Sequence, residues 1–584
     1  MLDAPIVKAQ GTALVFRVVP DALTVEVGQM FSVNITFEGI PATPGAVGFE
    51  FNLSWDGSIL QGVSMQEVEF HTVTPQAEWD NIWSISLGVS NSSVFYACTW
   101  LDTERAFNDG YAPISGNGTL AIITLKSIGI GQTTLHFELA EAGDPPGNPI
   151  PNVTIDGSVA VVHPLRVPED YSSVQAAVNA AAPGSTIIIA PGVYNESVVA
   201  NKTLTIVGKL GSEPIFSGGG SGIAVTLLPG ASGSVITGIM ITSWDKGILI
   251  NNASGCKIQD NVMSLMNEDG IVLQGNSAAN NNITRNVFQN STVAIDLNSF
   301  SYNNTVCKNI IVSNGLGVKF ESGGTLVYAN TVAENGIGVS LSNTGSNLIY
   351  HNNFVNNTVQ ASIPTSTSNT WDNGYPSGGN YWSDYNGTDA NYDGIGDTPY
   401  AVDQNSADRY PLIQPFNAHD VGITDYAVAK TVVGQGYLLR VKLKILNYGV
   451  NDESFLATAN ANASTVAMQA VALTKCSYII IALTWNTSSY NHGYYSINTY
   501  AWPVQGENDT ANNNCTMGSV LVTVPGDING DFTVDIYDAI TLAGGFNTLP
   551  GNLHWNANAD INGDNPVDIF DAIILAGHFN QHYP

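Results

Sequence analysis

Apolar and polar residues alternate along most of this 584-residue chain. TALVFRVVP and LTVEVGQMFSVNITF (residues 12–20 and 23–37), GAVGFEFNLSWDGSIL (Gly45–Leu60), GNGTLAIITLKSIGIGQTTLHFEL (Gly116–Leu139) and VTIDGSVAVV (Val153–Val162) keep a period of two. Successive side chains on a strand point to opposite faces, so each stretch buries one face, and together they predict a β-sandwich over residues 11–163. From Val174 the pattern changes to a short amphipathic helix followed by stacked strands, ending at Gly208. Short apolar strands then recur: KGILI at 246, DGIVL at 269, VAIDL at 293, LGVKF at 316, IGVSL at 337 and VQASI at 359. Their spacing of 21 to 24 residues is that of a solenoid. A second strand keeps step and carries Asn261, Asn286, Asn309, Asn330 and Asn352. Such residues either hydrogen-bond along the rod or simply mark turns. Residues 417–524 return to alternation, and two apolar helical runs, Asp535–Asn547 and Asp568–Asn580, close the chain. The pattern predicts a mainly β protein of several domains with a small α-helical C-terminal module.

Composition changes the picture in one direction. Lys+Arg is 18 against Asp+Glu 49, a formal net charge of -31, which argues against nucleic acid as a partner. The balance suits bound divalent cations, while a charged fraction of 11% excludes a solvating acidic tail. Cys98, Cys256, Cys307, Cys476 and Cys515 lie too far apart for a CxxC site. Cys476 and Cys515 share one candidate domain and either pair or stay as buried thiols. No stretch reaches the roughly 20 apolar residues of a membrane span. Met1–Gln10 lacks the regions of a signal peptide, so the numbering is expected to describe a processed or trimmed chain. Sequons at Asn34, Asn52, Asn117, Asn195, Asn282, Asn386 and Asn486 are glycosylation candidates.

The C-terminal helices each follow an Asp-studded loop. Calcium takes six to eight oxygens, and a twelve-residue loop supplies them from positions one, three, five, seven, nine and twelve. Asp527, Asn529, Asp531, the Thr533 carbonyl, Asp535 and Asp538 hold that register, as do Asp560, Asn562, Asp564, the Pro566 carbonyl, Asp568 and Asp571. Proline serves at position seven because only its carbonyl is needed. A closing Asp and the lack of a preceding helix resemble the type I dockerin, which implies two calcium ions and a cohesin partner. The resemblance places partner recognition from Ile536, Tyr537, Ile569 and Phe570 onward. Position six, ordinarily Gly, is Phe532 in one loop and Asn565 in the other.

Trp55, Asp56 and Leu60, the strand Gly118–Thr124 and the strand Gly157–Val161 resemble the corresponding motifs of a cohesin. An unrelated carbohydrate-binding or adhesion sandwich is the alternative. The run Val174–Gly208 resembles the cap and first coil of right-handed parallel β-helices, and Asn369–Leu412 resembles the C-terminal region of the β-helix family named for periplasmic copper-binding proteins. Copper wants His, Met or Cys, and residues 369–412 have none, so that label is not carried over. They do carry Asp389, Asn391, Asp393, the Ile395 carbonyl and Asp397, a third calcium candidate that Asp384 or Asp403 would complete. Trp371, Tyr381, Trp382 and Tyr385 form either a sugar platform or a lid on the solenoid. HDVGITDY, VKLKILNYGVND and ENDTANNN in residues 417–524 resemble the immunoglobulin-like adhesion-related modules of surface proteins, and read as a spacer.

Catalysis on the β-helix would need paired carboxylates or a basic residue. Between 167 and 368 there is one arginine, Arg285, and Glu268 and Asp269 are adjacent, hence expected on opposite sides of a strand. The expectation is therefore a non-enzymatic, extracellular or cell-surface chain: tail 1–10, cohesin-like sandwich 11–163, β-helix 164–416, immunoglobulin-like module 417–524 and dockerin-like module 525–584. A plug and a socket on separate parts of one subunit make a heterologous contact that grows filaments of copies of itself. A scaffold or adhesin binding separate cohesins, dockerins or surface glycans is the second reading, and a dockerin-borne polysaccharide-active enzyme the third. Donation of Met1–Gln10 to a neighbour is a further possible linkage.

Overall fold

The computed structural model describes residues 14–68, 83–100, 113–209, 213–298, 300–342, 345–363, 368–550, 552 and 554–582. Met1–Gln10 and the linkage suggested for it lie outside them. The chain forms two compact units, Met1–His163 and Pro164–Pro584.

The first unit is a sandwich of a five-stranded and a six-stranded sheet. Leu14–Val19 pairs antiparallel with Met30–Ile40 in one sheet, while Ala22–Glu26 lies parallel to Gly157–Val162 in the other. The chain therefore crosses between sheets at its first turn; the late strand Asn152–Ile155 forms an edge of the first sheet, while Gly157–Val162 lies inside the second, between Ala22–Glu26 and Gly131–Gly143. The alternating positions read from the sequence are buried: Phe16, Phe37, Phe51 and Tyr96 are almost fully inaccessible, and Phe51 stacks on Tyr96 at 5.0 Å. Trp55 anchors the corner named above, donating its indole N–H to the carbonyls of Leu60 (3.1 Å) and Asn91 (3.0 Å).

The second unit opens on the helix Val174–Ala180, capped by Ser173 and by Glu196, whose carboxylate accepts from the N–H groups of Val174 and Gln175. Its buried Val174, Ala177 and Val178 cover the first coil. Three parallel sheets of nine, nine and eight strands follow, a parallel β-helix. Lys246, Asp269, Val293, Leu316, Ile337 and Val359 stand in register, one above the next. The recurring Asn residues form a ladder: each Nδ2 donates to the next Oδ1, from Asn261 to Asn286 (3.1 Å), Asn309 (3.1 Å), Asn330 (2.9 Å), Asn352 (2.8 Å) and Asn380 (2.9 Å). A further ladder runs through Asn314, Asn335 and Asn357. Trp371 and Trp382 are buried rather than displayed, with Trp382 sandwiched between Phe354 and Tyr400 at 4.4 Å from each. They are the lid, not a sugar platform.

Residues 421–523 make a sandwich of three and five strands. It is no free spacer. Leu446 and Cys476 share an apolar cluster with Val262, Val287, Ile310 and Ala333 of the solenoid. Lys444 reaches Glu213 at 2.5 Å in a nearly dry ion pair, and Lys308 meets Asp509 at 2.8 Å. All five cysteines are free, so Cys476 and Cys515 are not bridged. The last module packs two helices, Ile536–Gly544 and Ile569–Gly577, over Val534, Leu542, Val567 and Leu575.

Candidate functional site

The two Asp loops are built alike, and their own backbone explains why. Asp527 is buried; its Oδ1 accepts from Gly530 N (2.7 Å) and Asp531 N (3.2 Å), and its Oδ2 from Phe532 N (2.9 Å). Asp560 repeats this with Gly563, Asp564 and Asn565. Phe532 (φ 69°) and Asn565 (φ 92°) both take the left-handed conformation that Gly would accept more readily. The Phe532 ring packs edge-on against Tyr494, 6.1 Å away, which offsets part of that strain. The last acid of each loop doubles as a helix cap: Asp538 Oδ2 accepts from Asp535 N (2.9 Å) and Asp571 Oδ2 from Asp568 N (2.9 Å), while Asp535 and Asp568 cap the next turn.

Carboxylate oxygens of Asp527, Asp531 and Asp538 lie within 4.8 Å of one another. Burial pushes the Asp527 carboxyl up to about 6, with Asp538 adding to it against hydrogen bonds from Thr523 and Gly530. Burial also raises Asp538, Asp560 and Asp571. Converging, partly desolvated carboxylates are relieved by a cation. Their hard oxygen donors suit calcium.

Residues 389–397 adopt the same turn. Asp389 accepts from Asp393 N (3.2 Å) and Gly394 N (2.9 Å), and Asp393 from Ile395 N (2.9 Å). Asp397 is drawn to Ala390 N (2.8 Å), and position twelve is Tyr400. Neither acid suggested for completing the loop is free to do so in this arrangement: Asp384 accepts from the Tyr400 hydroxyl, and Asp403 from Asn405 N and Ser406 N.

A near two-fold relation links the two C-terminal repeats. Asn547 N donates to Val567 O (2.8 Å), and Asn580 N donates to Val534 O (2.8 Å), so the residues beyond each helix pair with the opposite loop. Ile536, Tyr537, Ile569 and Phe570 are all more than half exposed. Ile540 and Ile573, each at 60%, extend both faces and were not singled out from the sequence. Their signal was the i, i+4 spacing from Ile536 and Ile569. The loops, by contrast, rest on the immunoglobulin-like module: Lys430 Nζ donates to the carbonyls of Asp560 and Ile561, and Asn558 Oδ1 accepts from Thr431 N and Val432 N. The helix faces stay open.

On the solenoid, Glu268 and Asp269 do not diverge as expected. Glu268 precedes the strand Asp269–Gln274, and both carboxylates close on Lys246, Glu268 at 2.5 Å. Arg285 is held by Asp260 through two bonds of 2.8 Å. Of the sequons, Asn117, Asn195, Asn386 and Asn486 are exposed, whereas Asn34, Asn52 and Asn282 are half-buried in sheet strands.

Residues 525–580 match the family described as the dockerin type I domain, and residues 178–387 match that described as periplasmic copper-binding protein (NosD). The C-terminal module is a dockerin, and the solenoid is a β-helix of the NosD type. Dockerins bind calcium, and the loops above fit it. No curated protein matches the chain in sequence. Similar solved structures include a type I cohesin–dockerin complex of Clostridium thermocellum, with 16% identity over 27% of this chain and 97% of that one, at a TM-score of 0.22. A non-cellulosomal cohesin of the archaeon Archaeoglobus fulgidus shares 16% identity over 26% of this chain and 92% of its own, at 0.20. A cohesin module of a Clostridium perfringens family 33 glycoside hydrolase shares 13% over 26% and 96%, also at 0.20. No helix among the described residues is long and apolar enough to cross a membrane.

Proposed function

We propose that this chain is an extracellular structural subunit that joins copies of itself, the dockerin of one seated on the cohesin-like sandwich of the next in a calcium-dependent contact. The observation that carries the reading is the pair of matching, exposed apolar faces around Ile536, Tyr537 and Ile540 and around Ile569, Phe570 and Ile573. Unpartnered apolar faces of this kind mark a docking surface. The Trp55–Leu60 corner and the strands Gly116–Ser127 and Gly157–Val162 support a cohesin-like socket, since they hold the motif residues in one sandwich. A heterologous contact that does not close on itself propagates. The reading assigns no catalysis: the acidic pair and the arginine of the solenoid are tied up in ion pairs with Lys246 and Asp260. It gives two calcium ions to the dockerin and a third, weaker one to Asp389–Asp397, where fewer charged ligands converge. The exposed sequons suit a glycosylated surface protein.

Light scattering and negative-stain microscopy of the purified chain, with calcium and then with chelator, test the proposal. Long particles that dissolve on chelation, and that an Asp538→Ala/Asp571→Ala variant fails to make, are the expected result. Monodisperse particles in both conditions would overturn self-assembly and leave a scaffold with separate cohesin or dockerin partners.

A further inference from the structure

The two Asp loops match in sequence, but the immunoglobulin-like module does not meet them alike. Its last strand, Asn514–Thr523, ends on a fully buried threonine whose hydroxyl donates to Asp527 Oδ2 at 2.7 Å. Asp527 therefore has a fourth donor besides Gly530 N, Asp531 N and Phe532 N. The counterpart of Thr523 in the second repeat is Asn556, whose Oδ1 instead accepts from Asn558 N at 3.0 Å. The module reaches that loop through Lys430, which donates to the main-chain carbonyls of Asp560 and Ile561, while the Asp560 carboxylate accepts from backbone N–H groups.

The first loop also sits closer to the module. A Cβ added at Gly530 would stand 3.1 Å from Val432 Cγ2, whereas one at the matching Gly563 would have nothing nearer than 3.8 Å. Among the described residues, Asp527, Asp531 and Asp538 are the one group of three acids whose oxygens converge within 4.8 Å; Asp560, Asp564 and Asp571 do not. A carboxylate ligand held by its own hydrogen bond is already oriented for the metal, and losing such a partner costs about 10–100-fold in affinity.

We propose that Thr523 is a positioning residue for calcium: the module's hydroxyl sets Asp527, makes the first loop the tighter site and has it fill before the second. This rests on the reading of the C-terminal module as a dockerin with two calcium ions, and extends it by making the preceding module part of one site.

Titration calorimetry of calcium into the calcium-free full chain tests it, with the hydroxyl removed in Thr523→Val and kept in Thr523→Ser. The tightest equivalent should weaken by about tenfold or more in Thr523→Val and stay within about threefold of wild type in Thr523→Ser, the remaining equivalents holding their affinity in both. A merely structural role would ease unfolding of the calcium-free chain without singling out one equivalent. A second measurement leaves both loops intact. Trp555, the one tryptophan of residues 525–584, donates to the Asn565 carbonyl at 3.0 Å, so terbium luminescence excited through it reports the second loop. The part of the emission that Trp555→Phe abolishes should rise only after the first equivalent is bound. A tightest equivalent unchanged in Thr523→Val, or Trp555-dependent emission that rises with the first equivalent, overturns the proposal and leaves the calcium-binding dockerin standing. A wild-type chain that binds no calcium overturns both.

Discussion

Asp538→Ala separates the two roles that the structure gives this carboxylate. Without calcium, Asp538 accepts from three backbone N–H groups, those of Ile528 (2.7 Å), Asn529 (3.1 Å) and Asp535 (2.9 Å). Removing the reciprocal helix cap costs about 1 kcal/mol. Ile528 is buried, and leaving its N–H unsatisfied costs about 1–3 kcal/mol more. The apo dockerin should therefore lose about 2–4 kcal/mol. With calcium, the closing ligand goes too. An ion held at about a thousand times its dissociation constant stabilises the fold by about 4 kcal/mol, and the variant should forfeit most of that from one site. The total is a large share of the roughly 5–15 kcal/mol typical of a domain. Titration calorimetry should show one fewer calcium equivalent, and scanning calorimetry a smaller calcium-induced shift of the dockerin transition. A variant that keeps every equivalent at unchanged affinity would refute the assignment of Asp538 as a ligand. One that unfolds no more easily than wild type in chelator would refute the capping role.

Asn309→Leu cuts the centre of the ladder, orphaning Asn286 N and taking a donor from the Ile283 and Cys307 carbonyls, while Asn330 Oδ1 keeps the backbone N–H of position 309; it should destabilise the second unit by about 2–4 kcal/mol in urea; a loss below about 1 kcal/mol would mean the ladder only marks turns. Lys444→Ala leaves Glu213 charged and buried, for about 3–5 kcal/mol, whereas Lys444→Met with Glu213→Leu should be close to neutral; equal losses in both would contradict a desolvated pair. Asp408, which accepts from Asn380 N and Trp382 Nε1, is pushed up to about 6 from the usual carboxylate range, mainly by burial. The folded state then holds more protons than the unfolded one between about pH 4 and 6, so this group's contribution to stability falls as pH rises through that window. Denaturation curves of wild type and Asp408→Asn should diverge by about 3 kcal/mol between about pH 4 and 7, in the variant's favour; a constant difference would show that Asp408 titrates normally.

The features legible in the sequence are those whose cause is local or repeats. Calcium ligands on alternate residues, Asp527 to Asp538 and Asp560 to Asp571, are brought together by one turn of backbone, so spacing alone reveals them. The solenoid is legible because each coil packs on the same position of the next, which forces Lys246, Asp269 and Val293 into one recurring pattern. Recurrence could not decide whether Asn261, Asn286 and Asn309 bond to one another or only turn the chain; the distance between stacked coils decides that. What the sequence left dark depends on residues far apart. Lys444 and Glu213 are 231 positions distant, and Lys308 and Asp509 are 201, so nothing in their neighbourhoods announces the docked module. Glu268 and Asp269 were misplaced because strand alternation applies only inside a strand, and Glu268 lies just before one. Phe532 takes a glycine's conformation at position six because the Tyr494 ring, supplied by another domain, packs against its side chain, and only tertiary structure puts it there.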